Sequence, residues 1–341
     1  MSDPPADPFG EGVRGVRRWR CRLLGADFVF TTDAPAVERL VRQAFENLPR
    51  YRLAPQVRTL HVRIVLRQRR AARTRGPPLP PRFAGGADIV TATIDADNYA
   101  VLASRQGSAL LVLSSDMLRH PYHLRYELLE FAVITLAVRT LGLVPLHAAC
   151  LSLRGRGILL VGASGSGKST LSLQGAAAGL ALVSEDSLFV EPSRLRAVAL
   201  PNYLYVRANA PRRLLPVGVA RRLARAGLIR RRSGVRKRVL DLRRAGLAVA
   251  GRAPRIVAMV LLSARAASAG RLLIRQPAGR ALACMRAMQE YAAARPEWPG
   301  FARKMAQLPC FELRRGTHPA EAVAALKSLL RRVPHELKPW P

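Results

Sequence analysis

Residues Gly162-Ala163-Ser164-Gly165-Ser166-Gly167-Lys168-Ser169 match GxxxxGK[ST] at every fixed position. An apolar run, Ile158–Val161, precedes the match, and a helix-forming stretch beginning Ser169-Thr170-Leu171 follows it. Strand, glycine-rich loop and helix in that order form a phosphate-cradling loop: glycines at 162, 165 and 167 let the backbone wrap an anion with no Cβ in the way, and the amides converge at a helix N-terminus. In such a loop Lys168 reaches the β- and γ-phosphates and Ser169 ligates Mg²⁺. The nucleotide-binding set is therefore Gly162, Ala163, Ser164, Gly165, Ser166, Gly167, Lys168, Ser169 and Thr170, with ATP and Mg²⁺ as the implied cofactors.

A loop of this kind does not by itself choose between hydrolysis and transfer. The next acidic residues are Glu185 and Asp186, at the end of a predicted strand, where open α/β sheets bind their ligands. One carboxylate there can hold Mg²⁺ and the other can accept a proton from an attacking hydroxyl. The chain has 22 acidic residues against 56 basic ones, so an adjacent acidic pair at this position stands out. His147, in the apolar strand Pro145–Cys150, reads on its own either as a satisfied core histidine or as a partner to that pair.

The order LHAACLSLRGRGILLVGASGSGKSTLSL, then GLALVSEDSLFV, resembles the HPr kinase/phosphorylase family and its smaller relatives, the HPr-kinase-like serine kinases, some of which sit in bacterial peptide-maturation clusters. The closing LPCFELRRGTHPAEAVAALKSLL is similar to the C-terminal strand and helix of those relatives, and the resemblance spans about residues 145–330. It implies Asp186 as the base toward an acceptor serine hydroxyl, His147 as the group that orients that base, and Glu185 with Ser169 as metal ligands. The family mostly carries Asp where Glu185 stands, and the second half of its signature is not recognisable. The resemblance thus implies kinase activity without the reverse phosphorolysis, and a peptide or protein acceptor. A nucleotide-binding regulatory or scaffold protein and a small-molecule kinase are the alternatives. No LSGGQ-type signature points to a transport ATPase.

The formal charge is +34, yet only five of the 56 basic residues are Lys. An Arg-heavy, Lys-poor chain is what a GC-rich genome encodes, and net charge speaks to solubility and non-specific binding more than to fold. Lys168 and Lys237 gain interest against that background, because a compact ammonium does what a planar guanidinium cannot. The segment 207–244 is densest in Arg: 212, 213, 221, 222, 225, 230–232, 236, 238, 243 and 244. It reads as a flexible lid over the nucleotide, as an acceptor-peptide site at Arg221–Arg232, or as a solvated basic face. Lys237 and Arg238 are the candidates for stabilising transferring charge. Stacking aromatics are scarce there, which argues against nucleic acid.

The length, 341 residues, and 49% hydrophobic content suit two domains. The expected division is a disordered tail over 1–13, an α+β accessory or substrate-recognition domain with antiparallel strands over 14–120, a connecting helix over 121–141, an α/β phosphate-loop kinase domain with flanking helices over 142–333, and a tail over 334–341. Asp33 is the expected N-cap of a helix over Ala34–Leu48. Residues 67–81 read as a loop. Four scattered cysteines, Cys21, Cys150, Cys284 and Cys310, have no zinc spacing and read as reduced. With no signal peptide and no apolar run long enough to span a bilayer, the expectation is a soluble cytoplasmic protein, compatible with a homo-oligomer.

Overall fold

The computed structural model describes residues 16–68, 76–86, 88–208, 215, 217–268 and 270–333. The expected tails, residues 69–75 of the 67–81 loop, and Arg212 and Arg213 lie outside those residues. Contacts divide the chain into two compact units, one from the described residues of Met1–Arg22, Ala26–Glu46 and Gln56–Thr140, the other from Leu23–Gly25, Asn47–Pro55 and those of Leu141–Pro341. The helical segment expected as a connector falls in the first of these.

In the first unit the alternating apolar pattern of Thr59–Arg67 becomes a strand buried on one face. Strands β1 (Arg17–Leu23) and β2 (Ala26–Thr32) lead into helix α1 (Pro35–Phe45) and then β3 (Thr59–Arg67). Four more strands follow: β4 (Arg82–Gly85), β5 (Ile89–Asp95), β6 (Asn98–Ala103) and β7 (Ser108–Ser114). They form one seven-stranded sheet in the order β1-β2-β3-β7-β6-β5-β4. The expected antiparallel layer is corrected here: β3 runs parallel to both β2 and β7. The reason is the α1 crossover, which returns the chain to the starting edge, as parallel pairing requires. Val37, Val41, Ala44 and Phe45 form the buried stripe of α1, and Phe45 stacks on Phe30 at 5.6 Å. The N-cap of α1 is Ala34, with no side-chain cap bond, and not Asp33. The helical segment after β7 comprises a short turn, α2 (Pro121–His123), a π-helical stretch over Leu124–Leu129, and α3 (Glu130–Leu141).

The second unit is built on a nine-stranded mixed sheet. Its strands include β8 (Val144–His147), β9 (Ala149–Leu153), β10 (Arg156–Val161), β11 (Ala181–Ser184), β12 (Ser187–Glu191) and β13 (Arg196–Val198). Helix α4 (Lys168–Ala177) follows β10. Strand β14 (Tyr203–Arg207), helix α5 (Val217–Arg225), β15 (Gly227–Arg230) and β16 (Arg236–Asp241) come next, with the three strands forming a separate sheet in the order β14-β16-β15. Then come β17 (Arg255–Ala266), β18 (Leu273–Gln276), the helices α6 (Ala278–Ala287), α7 (Glu290–Ala293) and α8 (Trp298–Met305), β19 (Cys310–Arg315) and α9 (Pro319–Arg332). The main sheet runs β11-β9-β10-β17-β13-β12-β8, with β19 also on β17 and β18 on β19. β10, β17 and β19 are parallel, and Gly157–Val161 of β10 and Ile256–Val260 of β17 are continuously buried, as expected for strand segments covered on both faces. One face packs against α4 and α9 through residues such as Leu160, Leu173, Leu326 and Leu330. The other packs against α6 and α8 through Leu159, Met259, Met285 and Phe301.

Two segments with continuous patterns are split. The apolar run Leu146–Leu153 breaks at Ala148, with β8 pairing β12 and β9 pairing β10. The helical stretch over Gly279–Ala293 breaks at Met288–Gln289. The turn between β9 and β10 has Arg154 at φ 51° and Gly155 at φ 77°, two left-handed residues in a row, as a tight hairpin twisted to match its strands requires. Among the described residues no helix is long and apolar enough to cross a membrane.

Candidate active site

Strand direction assembles the site. β10 and β11 are both antiparallel to β9, so they run the same way and end at the same edge of the sheet. β10 delivers Gly162 there, and β11 delivers Glu185 and Asp186. β9 runs the opposite way, with Ala149 opposite Leu160, so the residues just ahead of it, His147 and Ala148, also emerge at that edge. The register between β8 and β12 sets Ser187 opposite His147, and the Ala148 amide donates to the Asp186 carbonyl at 2.9 Å. A shift in the β11–β9 ladder between Leu182 and Ser184 re-aims the strand end immediately before the acidic pair.

The Gly162–Ser169 loop closes on itself. Gly165 and Gly167 sit at φ 85° and 103°, backbone that a side chain strains. A Cβ on Gly162 would lie 2.6 Å from Ser166 Oγ. The Lys168 ammonium donates to the carbonyls of Gly162 at 2.6 Å and Ala163 at 3.3 Å. Helix α4 begins at Gly167 with no side chain capping its first amides, and Ser166 Oγ is buried without a hydrogen-bond partner. Uncapped amides, an unpaired hydroxyl and a buried ammonium around glycine backbone fit an anion such as a nucleotide phosphate chain.

Ser169 Oγ donates to Glu185 Oε2 at 2.5 Å, and the Tyr205 amide donates to Glu185 Oε1 at 3.2 Å. Burial, reinforced by the charge of Asp186, pushes the Glu185 carboxyl above its ordinary value against the pull of the Ser169 bond. His147 Nδ1 lies 2.9 Å from Asp186 Oδ1. Burial would raise the Asp186 pKa, but the hydrogen bond and charge of His147, with Lys237 and Lys168, together hold it below the usual carboxylate value. Burial also draws Lys168 below its ordinary value, opposed by Asp186 and Glu185. Two neighbouring carboxyls pushed in opposite directions are a recurring feature of sites that move protons.

His147, Ser164, Lys168, Ser169 and Asp186 line a cavity of about 560 Å³ together with Tyr205, Arg207, Arg231, Ser233, Val235 and Lys237, a volume suited to a nucleotide-sized ligand; Glu185 is buried and meets it through Ser169. Lys237 is there as expected; Arg238 is not. Successive strand residues face opposite ways, and Arg238 instead donates to the carbonyls of Ala224 and Ala226 at 2.8 and 3.1 Å. The second cation comes from β14: Arg207 pairs in register with Lys237, and its guanidinium lies 3.7 Å from where a Cβ on Gly165 would sit. Arg231, stacked over the Tyr205 ring at 4.5 Å, supplies a third. The described part of the Arg-rich segment is folded as α5 and the β15–β16 hairpin rather than as flexible chain.

Sequence reasoning also missed Gln289. At 5% exposure, it sits where the α6–α7 helix breaks. Its amide clips the His147 backbone from both sides, Oε1 accepting from the amide at 2.8 Å and Nε2 donating to the carbonyl at 3.0 Å. Gln289→Leu keeps the volume and strands both backbone groups, so it should cost about 1–3 kcal/mol of stability in a denaturant titration. In the metal-free protein, Glu185→Gln has a pH signature. Below about pH 4 the Glu185 carboxyl is protonated folded and unfolded alike and the exchange is near neutral. Above that the unfolded chain ionises first, so parent stability falls relative to Glu185→Gln until pH passes the raised folded pKa. Denaturant midpoints at pH 4 and 7.5 should show the variant gaining on the parent only at the higher pH.

Among the described residues no group of three or more His, Cys, Asp or Glu could hold a metal ion. Mg²⁺ needs no such cage, because it usually keeps water and takes one or two carboxylates plus phosphate oxygens. The Ser169 hydroxyl and Glu185 carboxylate at 2.5 Å, beside the loop, fit that pattern.

No protein-family model matches the chain, and no curated protein does. Among solved structures, the chain is similar to the Hpr(Ser) kinase/phosphatase from Coxiella burnetii, with 14% identity over 54% of this chain and 96% of that one, at a TM-score of 0.28. That likeness is a distant structural relationship.

Proposed function

We propose that this protein is an ATP- and Mg²⁺-dependent kinase that transfers the γ-phosphoryl group to a serine-type hydroxyl of a peptide or protein. The observation that carries the reading is one cavity lined by the glycine loop, Lys168, Ser169 and the His147–Asp186 pair at 2.9 Å, with the buried Glu185 bonded to Ser169 at 2.5 Å. The Ser169–Glu185 pair suits a metal and the His147–Asp186 pair suits a proton acceptor.

When bound, the nucleotide supplies the phosphoryl group and Mg²⁺ supplies charge that withdraws electrons from it. Ser169 and Glu185 hold the metal. The loop amides of Gly162–Thr170 and the Lys168 ammonium hold the phosphates. Asp186, kept ionised by its lowered pKa, accepts the hydroxyl proton as the new oxygen–phosphorus bond forms and the bond to the β-phosphate oxygen breaks. His147 donates its hydrogen bond to Asp186 and fixes the carboxylate's orientation. Lys237, Arg207 and Arg231 bring positive charge to the cavity, where transferring phosphoryl charge is stabilised. Gln289 is a positioning residue, acting through the His147 backbone.

The same residues suggest a pH test. Activity falls on the acid side as Asp186 protonates. Because the His147 bond is one of the interactions lowering that pKa, His147→Ala should move the acid limb of the kcat/KM profile to higher pH. An unmoved limb would remove His147 from its role toward Asp186.

A further inference from the structure

No Asp or Glu occurs between Glu191 and Asp241, a stretch with thirteen arginines and Lys237. Where this stretch is described, it folds into the β14-β16-β15 sheet and α5. Its parity sorts the cations. Arg207 and Lys237, opposite each other in the ladder, face the cavity, while Arg230 and Arg236, also opposite each other, are exposed. Arg221 and Arg225 on α5 are exposed as well. β15 is one of the two edge strands of this sheet, paired with β16 alone among the described strands, and the one that carries the exposed Arg230. It runs directly into the turn Arg231–Val235, closed by the Arg231 amide on the Val235 carbonyl at 2.9 Å, and Arg231, Ser233 and Val235 line the cavity. A segment alongside β15 therefore has one end at the cavity rim.

We infer that β15 is the docking edge for the acceptor, which adds as an extended, acidic peptide segment forming a fourth strand. This rests on the kinase reading and names its substrate class. Two observations select a peptide over other anions. An edge strand presents backbone donors and acceptors that another extended chain matches, and between Glu191 and Asp241 the sequence has only two aromatic residues, Tyr203 and Tyr205, few on which bases could stack. Four residues of β15 extend about 13 Å at roughly 3.3 Å per residue, enough to fix three or four peptide residues. Glutamates or aspartates there answer Arg230 and Arg236, and the next residues carry a hydroxyl past the turn toward Asp186.

The test uses the full chain and a labelled octapeptide, Glu-Val-Glu-Val-Glu-Gly-Ser-Gly, with its reversed-order twin so that either strand direction is sampled. Binding is followed by fluorescence anisotropy at about 150 mM salt, where long-range charge effects are screened. We expect saturable binding by at least one of the two. The same peptide with alternate backbone amides methylated, equal in charge, should bind at least tenfold more weakly. The double variant R230E/R236E should bind the parent peptide at least tenfold more weakly while retaining affinity for a fluorescent ATP analogue. Equal binding of the methylated peptide, or unchanged binding by R230E/R236E, overturns the docking edge. Tighter binding of a single-stranded DNA oligomer or anionic vesicles of matched charge overturns the peptide assignment. Transfer is read separately by intact mass. Binding with the expected pattern but without transfer supports the edge and counts against the kinase reading; transfer insensitive to R230E/R236E does the reverse.

Discussion

Lys168→Ala should lower affinity for ATP by about 100-fold or more, measured by titration calorimetry with Mg²⁺ present. The Lys168 side chain is 6% exposed, and its ammonium spans the loop by donating to the Gly162 and Ala163 carbonyls. Lys168 is the first residue of α4, whose N-terminus has no side-chain cap, so a phosphate chain there loses one or two charge-assisted hydrogen bonds in the variant, each worth about 1.5–3 kcal/mol. Tenfold in affinity is about 1.4 kcal/mol, which sets the expected size. Lys168→Arg should not restore binding, because a planar fork does not occupy the space of a point charge inside a closed glycine loop. Wild-type affinity in Lys168→Ala would mean that the loop does not hold the phosphates.

Asp186→Asn should leave ATP binding nearly intact and reduce transfer by about 10²–10⁴-fold, the range for loss of a general base. The Asn carboxamide oxygen still accepts from His147 Nδ1, and the Ala148–Asp186 backbone bond does not depend on the side chain, so the strand ends stay in register. What is lost is the ability to take a proton. Glu185→Gln should behave differently, weakening the response to Mg²⁺ first, since Glu185 pairs with Ser169 and not with His147. Separating the two variants on an ATP affinity axis and a transfer-rate axis distinguishes the metal-holding pair from the proton-accepting pair.

The part of the site written in local sequence was legible. The glycine loop needs only consecutive residues between a strand and a helix, and Glu185-Asp186 lies one helix and one strand further on. Lys237 lines the cavity and Arg238 does not, a difference invisible in sequence because adjacent basic residues look alike until a strand assigns them to opposite faces. Arg207 and Arg231 carry no motif; their presence in the cavity follows from the β14–β16 register and the β15–β16 turn. Gln289 reaches His147 across 142 residues of chain, and no local pattern marks it, because the break at Met288–Gln289 shows only in the structure. In the first unit the strands themselves were readable from alternation, as in Leu60–Leu66. Their direction was not, because alternation is the same in parallel and antiparallel ladders, and only the α1 crossover sets β3 parallel to β2.

The most direct test is intact-mass analysis of serine-containing peptides encoded beside the gene, and of the acidic octapeptide, each incubated with ATP, Mg²⁺ and either the parent or Asp186→Asn. The expected result is a gain of about 80 Da, one phosphoryl group, on at least one peptide with the parent protein and none in the same time with Asp186→Asn. Transfer by Asp186→Asn at the parent rate would contradict Asp186 as the base, and transfer by Lys168→Ala at the parent rate would contradict the Gly162–Thr170 loop as the phosphate site.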